Sequence, residues 1–200
     1  MTCVRRAASW ALTIALLAGC YAPRVDVDER FDGSARAPVD LFRSLDASPD
    51  APADCEHPPL ALSVARFRVT TRPVGYRFAP RNVGAIWIER ADGAFVRAIE
   101  RWYSVRGAYL FTFRESAGDR VVDGVSGATL DAHRPHDATW DLRDVEGCPV
   151  AAGGYRVRVE LTDGNRAGRT ADLAFELGER PMAITFPDLD SFHSMRLVLE

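Results

Sequence analysis

The chain has 200 residues, with 25 basic against 28 acidic side chains and a formal net charge of -3. Every basic side chain is arginine, which reflects a GC-rich genome more than a partner. The slight acidic balance excludes a general nucleic-acid binder, which needs a basic excess.

The N-terminal "MTCVRRAASWALTIALLAGC" opens with a positive pair, Arg5 and Arg6. The apolar run Ala7 to Ala18 follows and is too short to span a bilayer comfortably. Charge, apolar run and small residues come in the order of a secretory signal peptide, residues 1–19. The alternative is a core helix ending in a buried cysteine. Leu17-Ala18-Gly19-Cys20 resembles the bacterial lipobox. The resemblance implies that Cys20 becomes the mature N-terminus and carries the lipid. Arg5-Arg6 lacks the rest of a twin-arginine motif, which points to the general secretory route. Tyr21 stands where inner-membrane lipoproteins usually have aspartate, which favours the periplasmic face of the outer membrane. No later segment is long and apolar enough for a membrane helix.

Residues 20–59 are rich in Asp, Arg, Ala, Ser and Pro and show no sustained period. Such a segment cannot bury enough surface to offset its ordering entropy, and it reads as a disordered tether. Of the four cysteines, Cys3 leaves with the signal and Cys20 takes the lipid. Cys55 and Cys148 remain, an even pair in an oxidising compartment, and are expected to form a disulfide. Two unpaired thiols are the alternative. Their spacing makes no CxxC motif and no zinc site.

From Leu60 to Glu200 the pattern is that of strands. "SVARFRVTT" alternates, with Ala65, Phe67 and Val69 on one face. "VGAIWIERADGAFVRAIERW" is two apolar runs around Ala91-Asp92-Gly93, a strong hairpin signal. "AYLFTF" and "DATWDL" read as further strands. "GYRVRVELTDGN" alternates and then turns at Asp163-Gly164-Asn165. "ADLAFEL", "MAITF" and "MRLVLE" complete about eight short strands with no long amphipathic helix. The fold class is all-β, an Ig-like or fibronectin-like two-sheet β-sandwich over residues 60–200.

"AIWIERADGAFVRAIERW", "DGVSGATL" and "WDLRDVEGCPVAAGGYRVRVEL" resemble, in that order, a family of predicted bacterial periplasmic proteins whose domain has no assigned function. Trp140 to Leu161 is also similar to the Ig-like module of flagellar hook-cap proteins. The first resemblance implies a periplasmic domain, and the second implies fold alone. The chain departs from the periplasmic family after Leu161, at "TDGNRAGR", and adds the stretch from Arg180.

Asp123-Gly124-Val125-Ser126-Gly127-Ala128-Thr129 fits D-x-x-[ST]-G-A-[ST]. This resembles the acceptor motif of flavin transferases, which attach FMN to a threonine hydroxyl through a phosphoester. The resemblance implies a flavin on Thr129, with Asp123, Ser126, Gly127 and Ala128 around it, and an electron carrier. The plainer reading is a surface turn, in which Gly124 and Gly127 supply positive φ. His133 and His136, with Asp131 and Asp137 beside them, are candidate zinc or copper ligands. Pro135 breaks any helix that would face them together, and a solvated loop is the alternative. Asp188, Asp190 and His193 suggest a weak calcium loop, with no EF-hand pattern behind it, and an exposed turn is preferred. Trp102 and Tyr103 would make a sugar-stacking or partner surface if exposed, but most aromatics of a sandwich are core. The sequence has no G-x-S-x-G, P-loop or paired carboxylates at recognisable spacing, so no catalytic residue is named and no enzyme is expected. The expected role is binding: an accessory module held to the membrane by its lipid, with an envelope protein as partner.

Overall fold

Two periodicities in the sequence sort the chain into layers. The computed structural model describes residues 55–118 and 125–200. The signal peptide, Cys20, most of the tether and Asp123 lie outside the described residues. The described residues fall within one compact unit, Ala47–Glu200.

Period-two alternation gives the strands. In β1 (Ala65–Thr71) Ala65, Phe67, Val69 and Thr71 point inward. Next come β2 (Val83–Arg90) and β3 (Phe95–Trp102), joined by the turn at Asp92-Gly93. β4 (Val125–Gly127) and β5 (Pro135–Trp140) follow. β6 (Gly153–Thr162) and β7 (Arg169–Leu177) form a long hairpin. β8 (Met182–Thr185) and β9 (Phe192–Leu199) close the chain. One sheet has the order β5-β1-β9-β8 and the other β4-β3-β2-β6-β7. All neighbours run antiparallel except β3 and β4, which are parallel. The fold is an all-β sandwich, as the alternation predicts.

The main core lies between the sheets and includes Phe67, Ile86, Trp102, Trp140, Val157 and Leu197. Burying each such side chain stabilises the fold by roughly 1.5–3 kcal/mol. Gly84 lets the Trp102 ring lie flat on β2. A Cβ there would stand 2.2 Å from that ring and 2.5 Å from the Glu160 carbonyl oxygen.

β2 is buried on both faces, because a second, smaller core covers its outer side. The cover is the segment predicted as strand "AYLFTF". It is instead a 3-10 turn (Val105–Tyr109) followed by α1 (Phe111–Ala117). Leu110, Phe113 and Ala117 recur at helical spacing and pack on Val83, Ala85 and Trp87. No local cap holds the helix start. The carboxylate of Glu160, on β6, accepts the backbone N–H of Phe113 at 2.8 Å and that of Thr112 at 3.4 Å. Tertiary placement of one carboxylate thus supplies what a local capping residue normally does.

Burial raises the Glu160 pKa, and the backbone N–H donors at the helix start pull against that shift. A raised carboxyl pKa means that the folded state binds the proton more tightly than the unfolded chain. The contribution is full below the ordinary carboxylate range and is lost as pH rises through the folded value. Wild type is therefore expected to lose stability relative to Glu160→Gln as pH rises from about 4.5 toward neutrality. Paired urea titrations check this, and parallel curves would remove the assignment.

Cys55 and Cys148 are bonded, with Cα atoms 5.4 Å apart, within the range a disulfide spans. The bond fastens the first described residue to the turn before β6.

Candidate functional site

Three sequence candidates meet at one edge of the sandwich. β4, which belongs to "DGVSGATL", pairs with β3 in the register Glu100↔Val125, Arg101↔Ser126 and Trp102↔Gly127. The octapeptide is thus part strand rather than only a turn. Its continuation reaches Leu130, which exchanges backbone bonds with Asn82 at 2.9 and 3.1 Å. Gly127 and Ala128 are exposed and Thr129 is half-buried. The side chain of Ser126 lies outside the described residues, as does Asp123.

Asn82 is fully buried and ties this edge together. Its Oδ1 accepts the indole N–H of Trp102 at 2.8 Å, and its Nδ2 donates to the Pro80 carbonyl at 3.1 Å. Trp102 is itself buried, in the core as expected for most aromatics of a sandwich, so the alternative of an exposed Trp102 surface does not arise. Its ring must cover β2, and a partner for its N–H waits inside.

His136 lies on the inward face of β5 with its side chain wholly buried. Its ring stacks on Trp102 with centroids 4.0 Å apart and planes 30° from parallel. Nδ1 meets Glu100 Oε1 at 2.8 Å, a contact that crosses from one sheet to the other. The Arg134 guanidinium approaches the same carboxylate oxygen at 4.0 Å. The carboxylate fixes the ring and leaves Nε2 as the free position. Nε2, Glu100 Oε2 and both ring nitrogens of His133 are buried and have no hydrogen-bond partner among the described residues.

His133 is half-buried rather than in a solvated loop. Burial pushes its pKa down; the nearby charge of Asp163 pulls it up and that of His136 pushes it further down. The two histidines therefore share one electrostatic environment, although Pro135 separates them. His136 spends Nδ1 on Glu100, so only its Nε2 is left for a metal. Among the described residues, no group of three or more His, Cys, Asp or Glu side chains is placed to hold a metal ion.

The Asp188–His193 turn is self-contained. Asp188 accepts the Ser194 backbone N–H at 2.7 Å and contacts His193 Nδ1 at 3.0 Å. These contacts, that of Ser194 first, hold the Asp188 carboxyl below its ordinary range. Asp190 instead faces Arg169 at 3.7 Å.

The sequence singles out neither Glu100 nor Asn82, and it marks Asp163 only as a turn residue. No local signal marks either one, because their partners are 36 and 20 residues away. Comparisons of the chain with family models, curated proteins and solved structures found no match.

Proposed function

We propose that the protein is a lipid-anchored binding module of the cell envelope, with its sandwich standing on the periplasmic face of the outer membrane. The observation that carries this reading is the Cys55–Cys148 bond, placed where the tether enters the folded unit. Such a bond persists in an oxidising compartment and is rare in the cytosol. It agrees with a leader that ends in Leu17-Ala18-Gly19-Cys20. An Ig-like type for the sandwich is supported by two contacts. The Tyr155 hydroxyl donates to the Ala151 carbonyl at 2.7 Å, the bond of a tyrosine corner, and Trp140 packs on the Tyr155 ring at 5.6 Å.

A second reading keeps the flavin. It is favoured by the exposure of Gly127 and Ala128 beside a half-buried Thr129, which leaves the peptide open to a modifying enzyme. The protein would then carry FMN as a phosphoester on the Thr129 hydroxyl and pass electrons.

One measurement tests both readings: peptide masses of the chain recovered from membranes of cells that also express a flavin transferase. The expected N-terminal peptide begins at Cys20 and carries acyl chains, and globomycin abolishes it. An unacylated N-terminus would overturn the anchor. The peptide containing Thr129 gains one FMN less water under the second reading, and Thr129→Ala removes the gain. An unchanged mass removes the flavin and leaves the anchor intact.

A further inference from the structure

The four strands that end the two sheets are not alike. β4 is three residues long and β8 four. β5 opens on Pro135, which has no N–H to offer, and its Asp137 is bonded to Arg68 at 2.6 Å. β7 is nine residues long, and among the described strands only β6 pairs with it. Its outer row of backbone N–H and C=O groups therefore has no strand beside it among the described residues. Proteins ordinarily blunt such an edge with a proline, a lysine, an inward-pointing charge, a bulge or a very short strand. β7 has none of these. Its sequence is RTADLAFEL, without proline or lysine. Its inward residues Ala171, Leu173, Phe175 and Leu177 are all apolar and buried. Its register with β6 runs unbroken from Leu161↔Arg169 to Gly153↔Leu177, whereas β1–β9 and β2–β3 both carry shifts.

An open, regular edge accepts another extended strand, and the charge pattern of β7 selects a copy of itself. Antiparallel self-pairing places the two strands about a two-fold axis, and their faces match only when the axis passes a residue. Pairing the whole strand with its copy centres the axis on Leu173. Asp172 then lies opposite Ala174, Thr170 opposite Glu176, and Ala171 opposite Phe175. Like charges directly opposite destabilise a sheet, and this register has none. Moving the axis one residue either way creates a clash. Centred on Asp172, that carboxylate faces its own copy; centred on Ala174, Asp172 faces Glu176. Asp172, beside the axis, is also neutralised within its own chain, by Arg156 at 2.9 Å and Arg158 at 3.8 Å on β6. Two copies can thus approach along this edge with one register favoured.

We infer that β7 is a dimerisation edge: two copies of the chain pair their β7 strands antiparallel about Leu173 and join two five-stranded sheets into one. The inference goes beyond the anchored reading and does not depend on the anchor. One strand pair makes a small interface, so the dimer is weak in free solution. Anchored copies share one surface, which raises their effective concentration.

The test uses the chain from Tyr21 to Glu200, which keeps the compact unit entire and carries neither the leader nor Cys20. Sedimentation velocity over a concentration series is expected to show a monomer–dimer equilibrium. Ala174→Glu sets a carboxylate against Asp172 of the other copy, twice per dimer, and is expected to weaken association about fivefold. Ala174→Ser is expected to leave it unchanged. Near-ultraviolet circular dichroism identical to the parent shows that each variant is folded. The register is read by oxidation of single-cysteine variants. Asp172→Cys mixed with Ala174→Cys is expected to give a cross-linked dimer, while neither does so alone, because residues two places out of register are too far apart to bridge. A chain that stays monomeric throughout, Ala174→Glu that associates as well as the parent, or Ala174→Cys that cross-links to itself as readily as to Asp172→Cys would each overturn the inference. So would a photo-crosslinker at Ala174 that captures in cells another protein and no copy of this chain. Failure of the anchored reading appears elsewhere, as a Cys20 without acyl chains.

Discussion

Asp163→Ala is expected to destabilise the domain by about 3–5 kcal/mol, more than any other single carboxylate replacement in a turn. Asp163 is fully buried at the end of β6. Its Oδ2 accepts the backbone N–H groups of Val74 and Gly75 at 2.9 and 3.0 Å, and its Oδ1 accepts that of Tyr76 at 3.0 Å. Its own carbonyl takes the N–H of Phe78 at 2.9 Å. One side chain therefore folds the whole β1–β2 connection onto the β6–β7 turn, where Arg166 lies 3.8 Å over the Tyr76 ring. Each hydrogen bond to a charged acceptor contributes roughly 1.5–3 kcal/mol. The loss falls short of three full bonds because the freed loop can turn its N–H groups to water. Asp163→Asn keeps one acceptor oxygen and is expected to cost about half as much. Asp92→Ala is the internal control. It too precedes a glycine in a turn, is exposed, and accepts one bond, from Ala94 N–H at 2.9 Å. It is expected to cost under about 1 kcal/mol. Urea unfolding of the three variants decides the matter. A loss in Asp163→Ala no larger than in Asp92→Ala would refute the bracing role.

That pair of aspartates marks the boundary of what the sequence discloses. Both read as turn residues, and both are. Only the fold brings residues 74–76 to the second, 87 to 89 positions away along the chain. Strand identity was legible because a half-buried strand must alternate, as β1, β5 and β7 do. Strand order was not legible, because β1 pairs with β5 and β9 rather than with its sequence neighbour β2. "AYLFTF" misled for a physical reason. Its aromatic and apolar residues have good strand propensity, and the demand that overrode it came from the exposed apolar side of β2. The spacing of Leu110, Phe113 and Ala117 was the signal available, and it spans more residues than the hexapeptide. At the candidate site, the octapeptide and the histidines could be picked out by residue type. Their meeting at Glu100 and Trp102 could not, since it rests on β3 lying between β4 and β2.

Replacing Cys148 by serine is expected to remove about 4–5 kcal/mol and about 15 °C of melting temperature under oxidising conditions. The bond joins residues 93 apart, so its loss frees a long loop in the unfolded chain. The native state around it has support of its own. Asp144 Oδ1 accepts the Cys148 N–H at 2.8 Å, and the Asp144 N–H donates to the Cys148 carbonyl at 3.0 Å. At the other end, the Ser63 and Val64 N–H groups both donate to the Glu200 carbonyl, at 2.8 and 2.9 Å. Leu62 is buried in the main core and Leu60 packs against it, so residues 55–59 are the part of the described chain that depends most on the bond. Native-state hydrogen exchange is expected to separate the two effects. Protection lost on local opening should change only near Cys55 and Cys148, while protection lost on global unfolding should fall across both sheets. Cys55→Ser should match Cys148→Ser, and the double variant should be no worse than either, since each removes the same bond. A leaderless chain made in a reducing cytoplasm should match the single variants until it is oxidised. If it already matches the wild type after oxidation, or if Cys148→Ser unfolds at the wild-type urea midpoint, the bond does not form in the protein. The envelope reading would then lose the observation that carries it.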